Sequence, residues 1–186
     1  MPLIKLDSTS ALVVIDLQKG IVGMPTVHPV CDIISRSAQL ARAFRRRGLP
    51  VVLVNVTEPA VGRTDARRPK FSFLPDWTEL VPELQQQPSD HLVSKKGWGA
   101  FLSTSLDEYL RQCGATQIVL TGVATSAGVE STARSAYDLG YNATLVVDAM
   151  TDRDADAHRH CIEKIFPRLG ETTTTDDVLK LLLHEA

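Results

Sequence analysis

The stretch that most constrains the fold runs from Gln117 to Asp148 and reads QIVLTGVATSAGVESTARSAYDLGYNATLVVD. An apolar strand over Ile118–Leu120 enters a turn of small residues, Thr121–Gly128. A helix follows to about Leu139, Gly140 closes it, and a second apolar strand over Ala143–Val147 ends on Asp148. Strand, turn, helix and strand in this order form the repeating unit of a parallel sheet. The turn lies at the carboxyl end of its strand, where open α/β sheets place their binding sites.

The same grammar recurs along the chain. Ala11–Ile15 (ALVVI) is a continuous apolar run ending on Asp16, as expected of a central parallel strand buried on both faces. Pro29 opens a helix in which Ile33, Ile34, Ala38, Ala41 and Phe44 recur near a spacing of 3.6, and Gly48 ends it. Val51–Val56 is the next buried strand, and the crossover between the two should be right-handed. From Thr57 to Asp90 five prolines interrupt regular structure, and only a short helix around Trp77–Leu84 is expected. A loop of that length is either a solvated connection or a binding wall. His91–Ser94 is a short strand leading into Lys95, and Thr104 or Ser105 caps a helix that Gly114 ends. Asp154–Leu169 reads as a helix, Glu171–Thr173 as an edge strand and Asp176–Leu183 as a last helix. No linker divides residues 1–186, so the expectation is one α/β domain, a three-layer α/β/α sandwich around a mostly parallel sheet of about six strands.

Composition narrows the function classes. A net charge of -2 gives no reason to expect nucleic acid or an anionic membrane as partner. No apolar run approaches the roughly 20 residues of a membrane span. The opening residues lack the pattern of a secretory signal, so the sequon at Asn142 carries no weight. Cys31, Cys113 and Cys161 have neither disulfide nor zinc-ligand spacing and suggest free thiols in a cytoplasmic protein.

A few residues stand out chemically. Asp16 and Lys95 each end a buried strand, where a charge suits a pocket better than packing. In partly apolar surroundings the Asp16 carboxyl would hold its proton to a higher pH and serve acid–base chemistry; alternatively it hydrogen-bonds its own turn. Lys96 competes with Lys95 for the partner role, and the pair forms only if their strands are neighbours. The turn Gly122–Gly128 exposes backbone N–H groups that could hold an anion or oxyanion, or is simply a tight connection. It is neither a P-loop nor a dinucleotide fingerprint. His158, His160 and Cys161 do not converge on one helix face, so no metal is expected there. Asp148 and Asp152 are read as capping residues or as pocket rim.

Three segments together, ALVVIDLQ from Ala11, VSKKGWGAF from Val93 and TGVATSAGVESTARSAYDLGY from Thr121, resemble the isochorismatase-like hydrolases. That superfamily includes nicotinamidases and N-carbamoyl amidohydrolases. The resemblance covers essentially the whole chain and implies a Rossmann-like sandwich, no cofactor, a small-molecule substrate and a homo-oligomer. It places the family's acid on Asp16 and its lysine on Lys95 rather than Lys96. It also implies a cis peptide between Val123 and Ala124. Most members carry a nucleophilic cysteine where this chain has Gly128, which closes the thioester route. Members resembling true isochorismatases also have glycine there, and they hydrolyse a vinyl ether by acid catalysis. On that pattern Asp16 would be the acid, Lys95 would orient it, and Gly128 would leave room for substrate. Gln18, Arg63, Arg67, Trp98, Val123, Ala124 and Thr125 would be candidate substrate contacts. Amide hydrolysis by water activated at Asp16, or a silent binding relative, are the alternatives.

Overall fold

The computed structural model describes residues 5–65 and 75–184. Six parallel strands, β1 (Ser10–Ile15), β2 (Val51–Glu58), β3 (His91–Lys96), β4 (Gln117–Val123), β5 (Asn142–Thr151) and β6 (Glu171–Thr173), form one sheet. Their order is β3-β2-β1-β4-β5-β6, with every pairing parallel. The chain builds outward on one side of β1 and then crosses to the other. The switch point therefore lies between β1 and β4, where a crevice opens at the strands' carboxyl ends.

Central burial explains the apolar runs. β1 and β4 are buried at every position. Alternate side chains of β1 enter different cores, as the two-residue period of a strand demands. Leu12 and Val14 pack with Ile33, Leu40 and Phe44 of α2 (Val30–Arg46) and with Val178 of α7 (Thr175–His184). Ala11, Val13 and Ile15 pack on the other face with Leu106 and Leu110 of α3 (Leu106–Gln112), Ala133 and Ala136 of α4 (Glu130–Asp138), and Phe166. Helices thus cover both faces, and the expected three-layer α/β/α architecture with six strands is the one observed.

Local differences have physical causes. The helix expected over Asp154–Leu169 is divided into α5 (Ala155–His160), a π-helical turn (Cys161–Ile165) and α6 (Phe166–Leu169). Pro167 lies in the first turn of α6 and has no N–H to continue the regular ladder. Around Trp77–Leu84 only Pro82–Leu84 is helical, as a single 3₁₀ turn. The preceding residues are instead fastened to the segment after β1: Val81 N–H donates to Leu17 O (3.0 Å), and Lys19 N–H donates to Glu79 O (2.8 Å). The four residues Lys19–Val22 form the short helix α1.

β4 approaches β1 very closely at Gly122, at the switch point. Gly122 has a φ of 120°, and an added Cβ would overlap the carbonyl oxygen of Ile15, its register partner on β1. Only glycine lets β1 and β4 meet here. Gly122→Ala is expected to lower stability by about 3 kcal/mol or more in urea unfolding. The same change at Gly114, where nothing lies within 4 Å of the added Cβ, should cost only about 1 kcal/mol.

Candidate active site

Asp16 ends β1 in a left-handed turn with φ 52°. Aspartate tolerates this conformation better than most residues, because its short polar side chain suits turns. The turn stops β1 and leaves the carboxylate at the switch-point crevice, 5% exposed. Lys95, on β3, is 1% exposed. Its ammonium donates to Asp16 Oδ2 (2.8 Å) and to the carbonyl of Gly97 (2.9 Å).

The pair forms although the strands are not neighbours. β2 lies between β3 and β1, so the two strands are roughly 10 Å apart. The flexible four-carbon stem of lysine spans that gap over the end of β2. Lys96, in contrast, projects to the surface and pairs with Glu58 at 3.3 Å.

Burial dominates the electrostatics of Asp16. Loss of solvent raises its carboxyl from 3.8 to about 6, and the Lys95 charge and hydrogen bond only partly oppose the rise. Oδ2 is held by Lys95, whereas Oδ1 is buried with no hydrogen-bond partner among the described residues. A carboxyl of this kind binds its proton more tightly in the folded than in the unfolded chain. The stability it contributes is fully present below about pH 4 and is lost as pH rises through 6, a difference of about 3 kcal/mol.

The turn after β4 forms the opposite wall. The Val123–Ala124 peptide is cis. Thr125–Val129 is a π-helical turn that leads into α4. It brings Gly128 against the acid: a Cβ there would lie 2.8 Å from Ile15 Cγ2 and 3.2 Å from Asp16 Oδ2. Asp16, Lys95 and Gly128 therefore share one locus.

The other expected contacts divide. Val123 is buried and Ala124 is half-buried, both beside the turn. Thr125 is fully buried, and its hydroxyl lies 2.8 Å from Nδ1 of His158 on α5, so its side chain is committed to the protein. Gln18 is likewise fully buried, and its amide is saturated by backbone: Oε1 accepts from Val56 N–H (2.7 Å), and Nε2 donates to Val56 O and Trp77 O (both 3.0 Å). Its expected part as a substrate contact is corrected to an internal one. Trp98 is exposed in the loop that follows Lys95, and Arg63 is exposed after β2. Arg67 lies outside the described residues.

One of the turn's N–H groups is taken by a side chain of the protein itself. Asp152 Oδ2 already accepts from Ser126 N–H (2.6 Å), while its Oδ1 accepts from Arg153 N–H (2.7 Å). Asp148 caps α7 through Thr175 N–H (2.8 Å). Both aspartates are caps, the bland alternative in the sequence. The sequence weighs His158 only as a metal ligand and does not reveal its contact with Thr125. His158 is buried while His160 is exposed, which bears out the divergence of the two along the helix. Burial and the nearby His28 lower its proton affinity. No group of three or more His, Cys, Asp or Glu residues among those described could hold a metal. A groove between α4 and α6, lined by Arg134, Tyr137, Ile165 and Arg168, contains none of these site residues. No described helix is long and apolar enough to cross a membrane.

The sheet order and the buried Lys–Asp pair at its switch point define a Rossmann-like α/β domain with acid–base capacity. Comparison with known proteins gives the class a name. The model of the isochorismatase domain matches residues 10–177, and the chain belongs to the isochorismatase family, whose members are hydrolases. A solved isochorismatase family protein from Burkholderia thailandensis superposes with a TM-score of 0.92 at 43% identity, covering 96% of this chain and 98% of that one. An uncharacterized isochorismatase family protein of Bacillus subtilis, YwoC, is 38% identical over 184 residues, 92% of this chain and 93% of its own. The ureidoacrylate amidohydrolase RutB of Variovorax paradoxus is 28% identical over 210 residues, 96% of this chain and 83% of its own.

Removal of Lys95 tests the electrostatics without any substrate. In Lys95→Met the Asp16 carboxylate loses its buried partner, so stability should fall by about 3–5 kcal/mol at pH 8. Near pH 5, where the carboxyl of the variant is protonated, the loss should shrink markedly. Urea unfolding at the two pH values checks this; an equal loss at both would show that the carboxylate does not depend on Lys95.

Proposed function

We propose that this chain hydrolyses a small anionic molecule without a cysteine nucleophile, cleaving a vinyl ether of the isochorismate type with Asp16 as general acid. The observation that carries the proposal is the Asp16 carboxyl itself, buried, raised to about 6, and with Oδ1 unpartnered. Because Lys95 donates to Oδ2, the proton is assigned to Oδ1, which is buried and has no hydrogen-bond partner among the described residues.

The chemistry then follows in balanced steps. Asp16 delivers its proton to the terminal methylene carbon of the enolpyruvyl ether. The ether oxygen shares its lone pair, and an oxocarbenium ion forms. The Asp16 carboxylate, now charged beside Lys95, takes a proton from the water that adds to the cationic carbon. Collapse of the hemiketal breaks the bond between that carbon and the ring oxygen, the hydroxyl proton passes to the leaving oxygen, and pyruvate and an alcohol separate. A carboxyl group with a raised pKa is suited to the first step. Lys95 carries one N–H beyond its two hydrogen bonds, which suits a substrate carboxylate.

Gly128 supports this route over a covalent one. A side chain there would collide with Ile15 Cγ2 and press on Asp16 Oδ2, so the position is packed too tightly for a nucleophile and, against expectation, leaves no open room for substrate. The buried thiol, Cys161, is pushed up to about 12 by burial and by Glu130, whose Oε2 it contacts at 2.9 Å, so it is no thiolate at neutral pH. Arg63 and Trp98 remain as candidate contacts on the substrate side, with Arg67 beyond the described residues. The amidohydrolase among the relatives favours a second reading, attack on an amide or ureido carbon by water that Asp16 deprotonates.

Pyruvate release from isochorismate by the purified protein tests the proposal. Asp16→Asn, which tolerates the same left-handed turn, should slow release by about 100-fold or more. In the parent, kcat/KM should be level below pH 6 and fall about tenfold per pH unit above it, as the acid form is lost. Release that survives Asp16→Asn would overturn the mechanism. Ammonia release from a ureido substrate, with none of pyruvate from isochorismate, would replace it with the amidase reading.

A further inference from the structure

Asp16, Gln18, Val56 and Lys95 form a closed ring of contacts in which one side chain, Gln18, has no partner but backbone. β1 stops at Ile15 because Asp16 turns left-handed, yet β2 continues to Glu58. The backbone N–H and C=O of Val56 would there lose their neighbour on the β1 side. The Gln18 side chain supplies both bonds. Its Oε1 accepts from Val56 N–H (2.7 Å), and its Nε2 donates to Val56 O (3.0 Å), as a neighbouring peptide group would. The second Nε2 hydrogen goes to Trp77 O (3.0 Å). Val56 is in turn the register partner of Lys95 on β3. Lys95 closes the ring by returning to Asp16.

We infer that Gln18 is a positioning residue: its amide fixes the distance between the Asp16 turn and the strand pair that carries Lys95, and so sets the contact between acid and lysine. Its functional arm rests on the acid-catalysis reading above, whereas its structural arm does not. The backbone around Gln18 supports the assignment. Gln18 forms an isolated antiparallel bridge with Leu80, and Gly20 N–H donates to Trp77 O (3.0 Å). Gly20 also lies so near the Trp77 ring that an added Cβ would overlap it. The turn is thereby held from the loop side as well as from β2, and the Gln18 amide is where the two attachments meet. A shorter or apolar side chain would leave the N–H and C=O of Val56 without this partner, leave Trp77 O with Gly20 N–H alone, and let the turn move relative to β3.

The test uses Gln18→Met and Gln18→Glu in the full chain, with two readouts. The first is the titration midpoint of the Asp16 carboxyl by ¹³C NMR, which needs no substrate. The second is kcat and KM for isochorismate. In Gln18→Met the Asp16 midpoint should move from its parent value and kcat should fall about 100-fold, the scale of a misplacement near 1 Å, with KM unchanged. In Gln18→Glu a protonated side chain can both accept from Val56 N–H and donate to Val56 O, so kcat should recover toward the parent as pH falls. The methionine variant should show no such recovery. A raised KM with kcat and midpoint unaltered would make Gln18 a substrate contact and overturn the inference. Loss of thermal stability alone, with kcat and midpoint of the parent, would make it merely structural and also overturn it. If the parent releases no pyruvate, the functional reading fails, and the Asp16 midpoint still decides the role of Gln18. Should Gln18→Met not fold, the midpoint in Gln18→Glu, displaced at neutral pH and restored on acidification, carries the same decision.

Discussion

The contact between the Lys95 ammonium and the Asp16 carboxylate is made across an intervening strand, inside protein, with almost no water. Two effects act on the acid in opposite directions. Burial disfavours its charge, and the lysine favours it. Burial wins, so the carboxyl titrates at about 6 rather than being locked as a permanent carboxylate. Had the lysine won, the group would have been a structural counter-ion with no proton to give near neutral pH. The rest of the local structure keeps this balance. Gly122 lets β4 close on β1, Gly128 lets the next turn approach the carboxylate, and Gln18 ties the Asp16 turn to β2.

Much of the fold could be read in the chain, because a parallel sheet buried on both faces leaves long apolar runs in sequence. β1, β2 and β4 announce themselves in this way. Asp16 and Lys95 were visible for the same reason, since a charge that terminates such a run has no packing role. The requirement that their strands be neighbours was too strict. It overlooked the reach of a lysine side chain, which made adjacency unnecessary.

What could not be read depends on partners distant in sequence. Gln18 looked like a polar residue beside a pocket, and nothing in DLQKG reveals that Val56 and Trp77 consume its amide. Thr125 was hidden similarly by His158, 33 residues away. The anion-binding capacity of the turn after β4 was a fair inference from its small residues and its place at a helix start. Asp152, just beyond the end of β5, takes one of the turn's N–H groups, that of Ser126, from within the chain. Family membership fixes the architecture more firmly than the chemistry, because the residue facing the acid at position 128 is a glycine packed against Ile15 and Asp16, with no side chain to act.

The left-handed backbone at Asp16 has a bearing on how such a protein could change over time. Few residues sit comfortably at that dihedral, and among them are asparagine, aspartate and glycine. A single-step drift from Asp16 to asparagine or glycine would therefore keep the turn and remove the carboxyl proposed as proton donor. Silent descendants of this chain should arise easily, folded like their ancestor and indistinguishable from it in overall shape. In this architecture resemblance of fold is inherited far more robustly than activity.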